Sequence, residues 1–172
     1  MAKIEVIMGD ITTQKVDAIV NAANSAMLGG GGVDGAIHRA AGIGLYEECL
    51  KVPEGPGGRC PRGQCVVTGA GRLPCKKVIH TVGPVYSGSA NDAKVLGDCY
   101  RNCLAAAERE GLESIAFPNI STGVYGYPLR EAAEVAVSAV RETLPKTPSV
   151  KLVRFVCFNR ENHQIYEELL KR

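Results

Sequence analysis

The chain has 172 residues, 45% of them apolar. That is enough to bury about 70% of the unfolded surface in one core, so a single domain over residues 1–172 is expected and a second has no room. Twenty Lys plus Arg against eighteen Asp plus Glu leave a formal charge of +2, a field too weak to make nucleic acid or an acidic membrane the expected partner.

In chain order, Met1 to Met8 carries charges inside a short alternating run rather than a signal peptide's continuous apolar stretch. Nothing later reaches membrane-spanning length, so a soluble, cytoplasmic protein is expected. Strands are predicted at Ile4 to Met8, Ala18 to Asn21, Val66 to Gly69, Val78 to Val82, Ser114 to Phe117 and Leu152 to Cys157, most of them apolar on both faces. Between them, Gly35 to Ala41 reads as an early helix. Leu96, Cys99, Tyr100, Cys103, Leu104 and Ala107 recur at helical spacing, with Gly111 placed to end that helix. A further helix is predicted from Pro128 until Pro145 forbids continuation, and a last one carries Ile165, Leu169 and Leu170. Such alternation predicts an α/β protein with helices on both faces of a largely parallel sheet, its ligand beyond the carboxyl ends of the strands. Pro53 to Gly63 reads as a surface loop too short to separate domains.

Three strand ends carry the candidate chemistry. The first releases Gly9-Asp10-Ile11-Thr12, where Asp10 alone is equally well a turn or cap residue. The second delivers Asn21 and Asn24, then Gly29 to Gly32, Val33, Asp34 and Gly35. Carboxamides suit adjacent sugar hydroxyls, and consecutive glycines let backbone N–H groups approach phosphate oxygens. For the glycines alone a flexible turn and a ligand cradle are both open; the asparagines before them and the helix after them favour the cradle. Asp34 has two readings, a proton acceptor for water or a simple helix cap. The third strand opens into Ser121-Thr122-Gly123-Val124-Tyr125-Gly126, again a glycine-bearing loop before a helix, and two such loops suggest a diphosphate held between them. No Lys follows the glycines, so this is not a nucleotide-triphosphatase P-loop.

Tyr125 reads as a wall for a sugar ring or as a half-buried loop aromatic, and Phe158 as a base-stacking or core-edge residue. His38 and His80 read as structural histidines, with no Ser or Cys in a nucleophile-elbow context. The seven cysteines, odd in number, read as reduced thiols rather than a disulfide frame. Cys60 and Cys65 lack a CxxC spacing or a neighbouring His, so no metal is expected.

Together, Gly9-Asp10-Ile11-Thr12, Val20-Asn21-Ala22-Ala23-Asn24-Ser25, Gly29 to Gly42, Val78 to Pro84, Ala116-Phe117-Pro118 and Ile120 to Pro128 resemble the macrodomain family, in order and over essentially the whole chain. The resemblance is to its MacroD-type branch. It implies a three-layer α/β/α macrodomain with a central mixed, largely parallel sheet. It also implies a metal-independent, cofactor-free hydrolase that binds ADP-ribose and cleaves acyl esters of the distal ribose. Its partners would be ADP-ribose, O-acetyl-ADP-ribose and mono-ADP-ribosylated proteins. By the same resemblance, Asp10 and Ile11 meet adenine, with Phe158 nearby. Gly32 and Val33 form the first phosphate loop, and Ser121, Thr122, Gly123, Val124 and Tyr125 the second. Asn24 and Asp34 are the catalytic pair at the distal ribose, supported by Asn21.

Three rival readings stand beside this one. One is a reader that binds ADP-ribose without cleaving it, and another a phosphatase acting on ADP-ribose 1''-phosphate. The third is a nicotinamide-dependent oxidoreductase: Gly30 to Gly35 formally satisfies GxGxxG, but the strand and acid that should follow are replaced by the Pro/Gly loop.

Overall fold

The computed structural model describes residues 2–172. Six strands form one sheet: β1 (Lys3–Met8), β2 (Ala18–Ala22), β3 (Cys65–Gly69), β4 (Lys77–Thr81), β5 (Ser114–Phe117) and β6 (Leu152–Cys157), in the spatial order β1-β6-β5-β2-β4-β3. All neighbours are parallel except the edge pair β3 and β4. The mixed, largely parallel sheet expected from the resemblance is thus what forms, and every predicted strand falls within a residue of its observed bounds.

Among the described residues five α-helices cover the sheet: α1 (Gly32–Ala41), α2 (Ile43–Leu50), α3 (Ala90–Arg109), α4 (Leu129–Thr143) and α5 (Arg160–Leu170). On one face α3, α4 and α5 pack against Val20, Ile115 and Val153, around an aromatic row in which Tyr100 lies 4.9 Å from Phe117 and Phe155 lies 4.7 Å from Tyr166. On the other, Ile37 of α1 and Leu45 of α2 pack with Met27 on Ile19 and Val78. The result is three layers, as apolar runs with two covered faces require.

Local signals explain most helix ends. Gly111, at φ 69°, follows α3, and the Leu112 amide donates to Ala107 O at 2.9 Å, a left-handed C-terminal stop. Pro128 lies one position outside α4, extended at ψ 134°, and its carbonyl accepts the Ala132 amide at 2.9 Å. The α-helix ends at Thr143, and Pro145 sits in a single 3-10 turn. The short helix α2 has no counterpart among the elements that the sequence predicts.

Candidate functional site

The central strands β2 and β5 are neighbours, yet the chain leaves them toward opposite faces, from β2 into α1 and from β5 into α4. Parallel α/β sheets open a crevice where such connections diverge. A cleft of about 310 Å³ lies there, bounded on one side by Ala22 to Asn24 and Gly30 to Asp34, and on the other by Asn119 to Ser121 and Gly123 to Tyr125.

The Asp34 carboxylate is buried on α1, 4% exposed. Its Oδ1 accepts Asn21 Nδ2 at 2.9 Å and lies 3.4 Å from His38 Nε2, one helical turn on. Its Oδ2 has no hydrogen-bond partner among the described residues. Burial pushes the carboxyl above the usual aspartate range, while the Asn21 hydrogen bond and His38 pull the other way. The capping reading of Asp34 is corrected: α1 starts at Gly32 with Gly31 as its cap, so Asp34 lies inside the first turn and its side chain turns to the sheet. His38, read from sequence as merely structural, is the carboxylate's nearest basic neighbour.

Asn24 is fixed by its own turn: Oδ1 accepts the Met27 amide at 3.1 Å and Nδ2 donates to Gly29 O at 3.2 Å. Of the glycines here, Gly29 at φ 99° and Gly32 at φ 56° supply left-handed backbone, and Gly30 and Gly35 supply space. A Cβ on Gly30 would stand 3.3 Å from both Asn24 Nδ2 and Asp34 Oδ2, and one on Gly35 would run into the Gly30 carbonyl. The Pro/Gly segment braces this turn from behind, the Arg59 and Cys60 amides both donating to Ser25 O at 2.7 and 3.0 Å.

Across the cleft, Ser121 is held at φ 67°, uncommon for a residue with a side chain, and its Oγ donates to Pro84 O at 2.8 Å. The Tyr127 amide donates to Ser121 O and the Gly126 amide to Gly123 O, both at 2.9 Å, folding the loop back on itself. Val124 stands fully exposed at the tip, and Tyr125 is half-buried beside it. Thr122 turns its hydroxyl to Asn119 O at 3.2 Å and does not line the cleft.

Three expected residues sit further along the same sheet edge. Asp10 follows β1, and its Oδ1 accepts both the amide and the hydroxyl of Thr12 at 2.8 and 2.7 Å, so the cap reading describes that oxygen's contacts. Ile11 is buried beside it, and Phe158, 89% exposed, follows β6, the strand paired to β1. None of the three lines the cleft. Among the described residues no three His, Cys, Asp or Glu side chains are grouped to hold a metal, and no helix is long and apolar enough to cross a membrane.

A crevice at parallel strand ends, walled by two glycine-bearing loops and containing one half-tethered buried carboxylate, defines an α/β protein built to bind a polar ligand. The Macro domain family profile matches residues 20–136. The chain is 55% identical over 169 residues to an O-acetyl-ADP-ribose deacetylase of Enterobacter sp. (strain 638), covering 98% of this chain and 93% of that protein. Among solved structures it is similar to the Oceanobacillus iheyensis macrodomain with ADP (TM-score 0.91, 43% identity, 96% of this chain and 88% of that one). It is also similar to the Trypanosoma brucei macrodomain in complex with ADP-ribose (TM-score 0.87, 41% identity, 97% and 68%). The chain belongs to the Macro domain family.

Proposed function

We propose that this protein is a metal-independent hydrolase of the MacroD-type branch that binds ADP-ribose and cleaves acyl esters of its distal ribose. One observation carries the chemistry: a buried carboxylate tethered through one oxygen and unpartnered at the other, at the wall of the cleft. In this reading the diphosphate lies between the amides of Gly32 and Val33 and those of Ser121 to Tyr125, with Thr122 shaping that loop from behind. Adenine extends toward Asp10, Ile11 and Phe158. Asn24 and Tyr125 orient the distal ribose, and Asp34 Oδ2 takes a proton from water. The water oxygen then bonds to the ester carbonyl carbon, the bond from that carbon to the ribose oxygen breaks, and Asp34 returns its proton to the leaving ribose oxygen as the acid is released.

The same step releases acetate from O-acetyl-ADP-ribose or frees an Asp or Glu side chain of a mono-ADP-ribosylated protein. The seven cysteines, all free thiols, fit a reducing cytoplasmic setting. The test is acetate release from O-acetyl-ADP-ribose by wild type and Asp34→Asn. Loss of general-base chemistry should lower turnover by about a hundredfold or more while ADP-ribose affinity stays within a fewfold. Binding without acetate release above the Asp34→Asn control would leave the reader in its place.

A further inference from the structure

Behind Asp34 a line of buried polar side chains crosses three strands. Asn21 on β2 pairs in register with His80 on β4, and Thr68 stands one diagonal step away on β3. Asn21 and His80 are fully buried and Thr68 is 6% exposed. Asn21 Nδ2 reaches Asp34 Oδ1 at 2.9 Å and His80 Nδ1 at 3.2 Å; His80 Nε2 lies 2.9 Å from Thr68 Oγ1, which in turn reaches Gly69 O at 2.9 Å.

Donor and acceptor counting allows one arrangement of hydrogens when Asp34 is ionised. A carboxylate only accepts, so the Asn21 amide nitrogen must face it, and the second hydrogen of that nitrogen points at His80 Nδ1. Nδ1 is then unprotonated and Nε2 carries the ring's hydrogen, which goes to Thr68 Oγ1. The Thr68 hydroxyl hydrogen goes to Gly69 O. Protonating Asp34 removes the reason for this order and lets the amide turn over.

We infer that Thr68 and His80 are positioning residues for Asp34: they lock the Asn21 amide so that the carboxylate is held ionised by one oxygen and presents the other to the cleft. This rests on the reading of Asp34 as the base. Burial supports it by keeping the ring neutral, with the His80 pKa pushed down to about 3. The other titratable neighbours are His38 from α1 and Cys49 from α2, whose Sγ lies 4.0 Å from His80 Nε2, with Glu48 and Arg59 beyond it. Burial holds Cys49 protonated, its pKa pushed up to about 11, and His38 is common to every variant below.

The closing experiment compares Thr68→Val with Thr68→Ser. Valine leaves the ring Nε2–H with only the weak acceptor Cys49 Sγ at 4.0 Å and so loosens the tautomer; serine keeps the hydroxyl. Expected for valine is a kcat lower by about tenfold or more near neutral pH, an acid limb of the pH–rate profile moved to higher pH, and an ADP-ribose Kd within about twofold of wild type. Serine restores both kcat and limb. An unmoved acid limb in Thr68→Val overturns the inference, because loosened packing alone would lower the melting temperature and not shift that limb. Ring-nitrogen NMR of the wild-type protein decides it independently of activity. A neutral His80 with hydrogen on Nε2 between pH 5 and 8 is expected; hydrogen on Nδ1, or a charged ring, overturns it. A wild-type protein that releases no acetate would refute the hydrolase reading, while the NMR arm still decides the hydrogen-bond order.

Discussion

Asp34 concentrates two opposing demands. Burial favours its neutral form, whereas the proposed reaction needs the anion, and Asn21 and His38 supply the opposing pull. Replacing it by Asn removes the charge and keeps the shape, so Asp34→Asn is expected to melt at or above the wild-type temperature while turnover collapses. A thermal scan beside the acetate assay checks this; parallel loss of both would point to a structural role. Wild-type turnover should rise with pH through a midpoint above the ordinary aspartate value, as the carboxyl ionises. Asn24, Asp34 and the glycines were legible in sequence because strand-end position and residue chemistry coincide there. His38 was not. Starting the helix at Gly35, three residues beyond its observed start at Gly32, hid the four-residue spacing that stacks Asp34 and His38 on one helical face. Nor could any local pattern have joined Thr68, His80 and Asn21, since strand register is a property of the assembled sheet.

Strands and long helices were legible because apolar period and breakers agree with the final packing. The exception, α2, has eight residues, follows α1 across Gly42 alone, and runs straight into the Pro/Gly loop, so neither length nor caps announced it. The contact between α1 and its preceding loop carries a prediction. Gly35 is needed for closeness, not for backbone freedom: a side chain there would strike the Gly30 carbonyl and crowd Arg39. Gly35→Ala should therefore push the loop off the helix, destabilising the fold by about 1–3 kcal/mol, typical of overpacking. ADP-ribose affinity should fall by about tenfold, as read by calorimetry and chemical denaturation. Gly31→Ala, where a Cβ meets nothing within 4 Å, is the matched control for crowding.

For the whole molecule, the alternation of elements gave the layers and the side of the sheet on which to look, but not the strand order that puts β2 beside β5 and makes the crevice. Connections of different length can yield several orders, and nothing within one strand names its neighbours. The buried polar line also contributes to how the whole fold answers to acid. The folded His80 ring stays neutral down to about pH 3, whereas an unfolded histidine takes a proton near 6.5. His80 thus contributes its full stability above about pH 6.5 and loses it as pH falls, by about 2 kcal/mol at pH 5. Asp34 works the other way: its raised carboxyl destabilises the fold at neutral pH, and that penalty fades as acid protonates it. Urea denaturation at pH 7 and pH 5 should show the His80 loss, and His80→Asn should flatten it.

The two glycine-bearing walls of the cleft are mostly backbone, and the carboxylate is a single group set into one of them. In the proposed reaction they hold the diphosphate, while adenine rests outside them, and the chemistry leaves both parts unaltered. The spent molecule therefore keeps nearly every contact that the fresh one had. Progress curves should slow well before O-acetyl-ADP-ribose is exhausted, and added ADP-ribose should compete with an inhibition constant close to KM. Escape from the crevice, rather than bond breaking, would then limit throughput wherever free ADP-ribose accumulates.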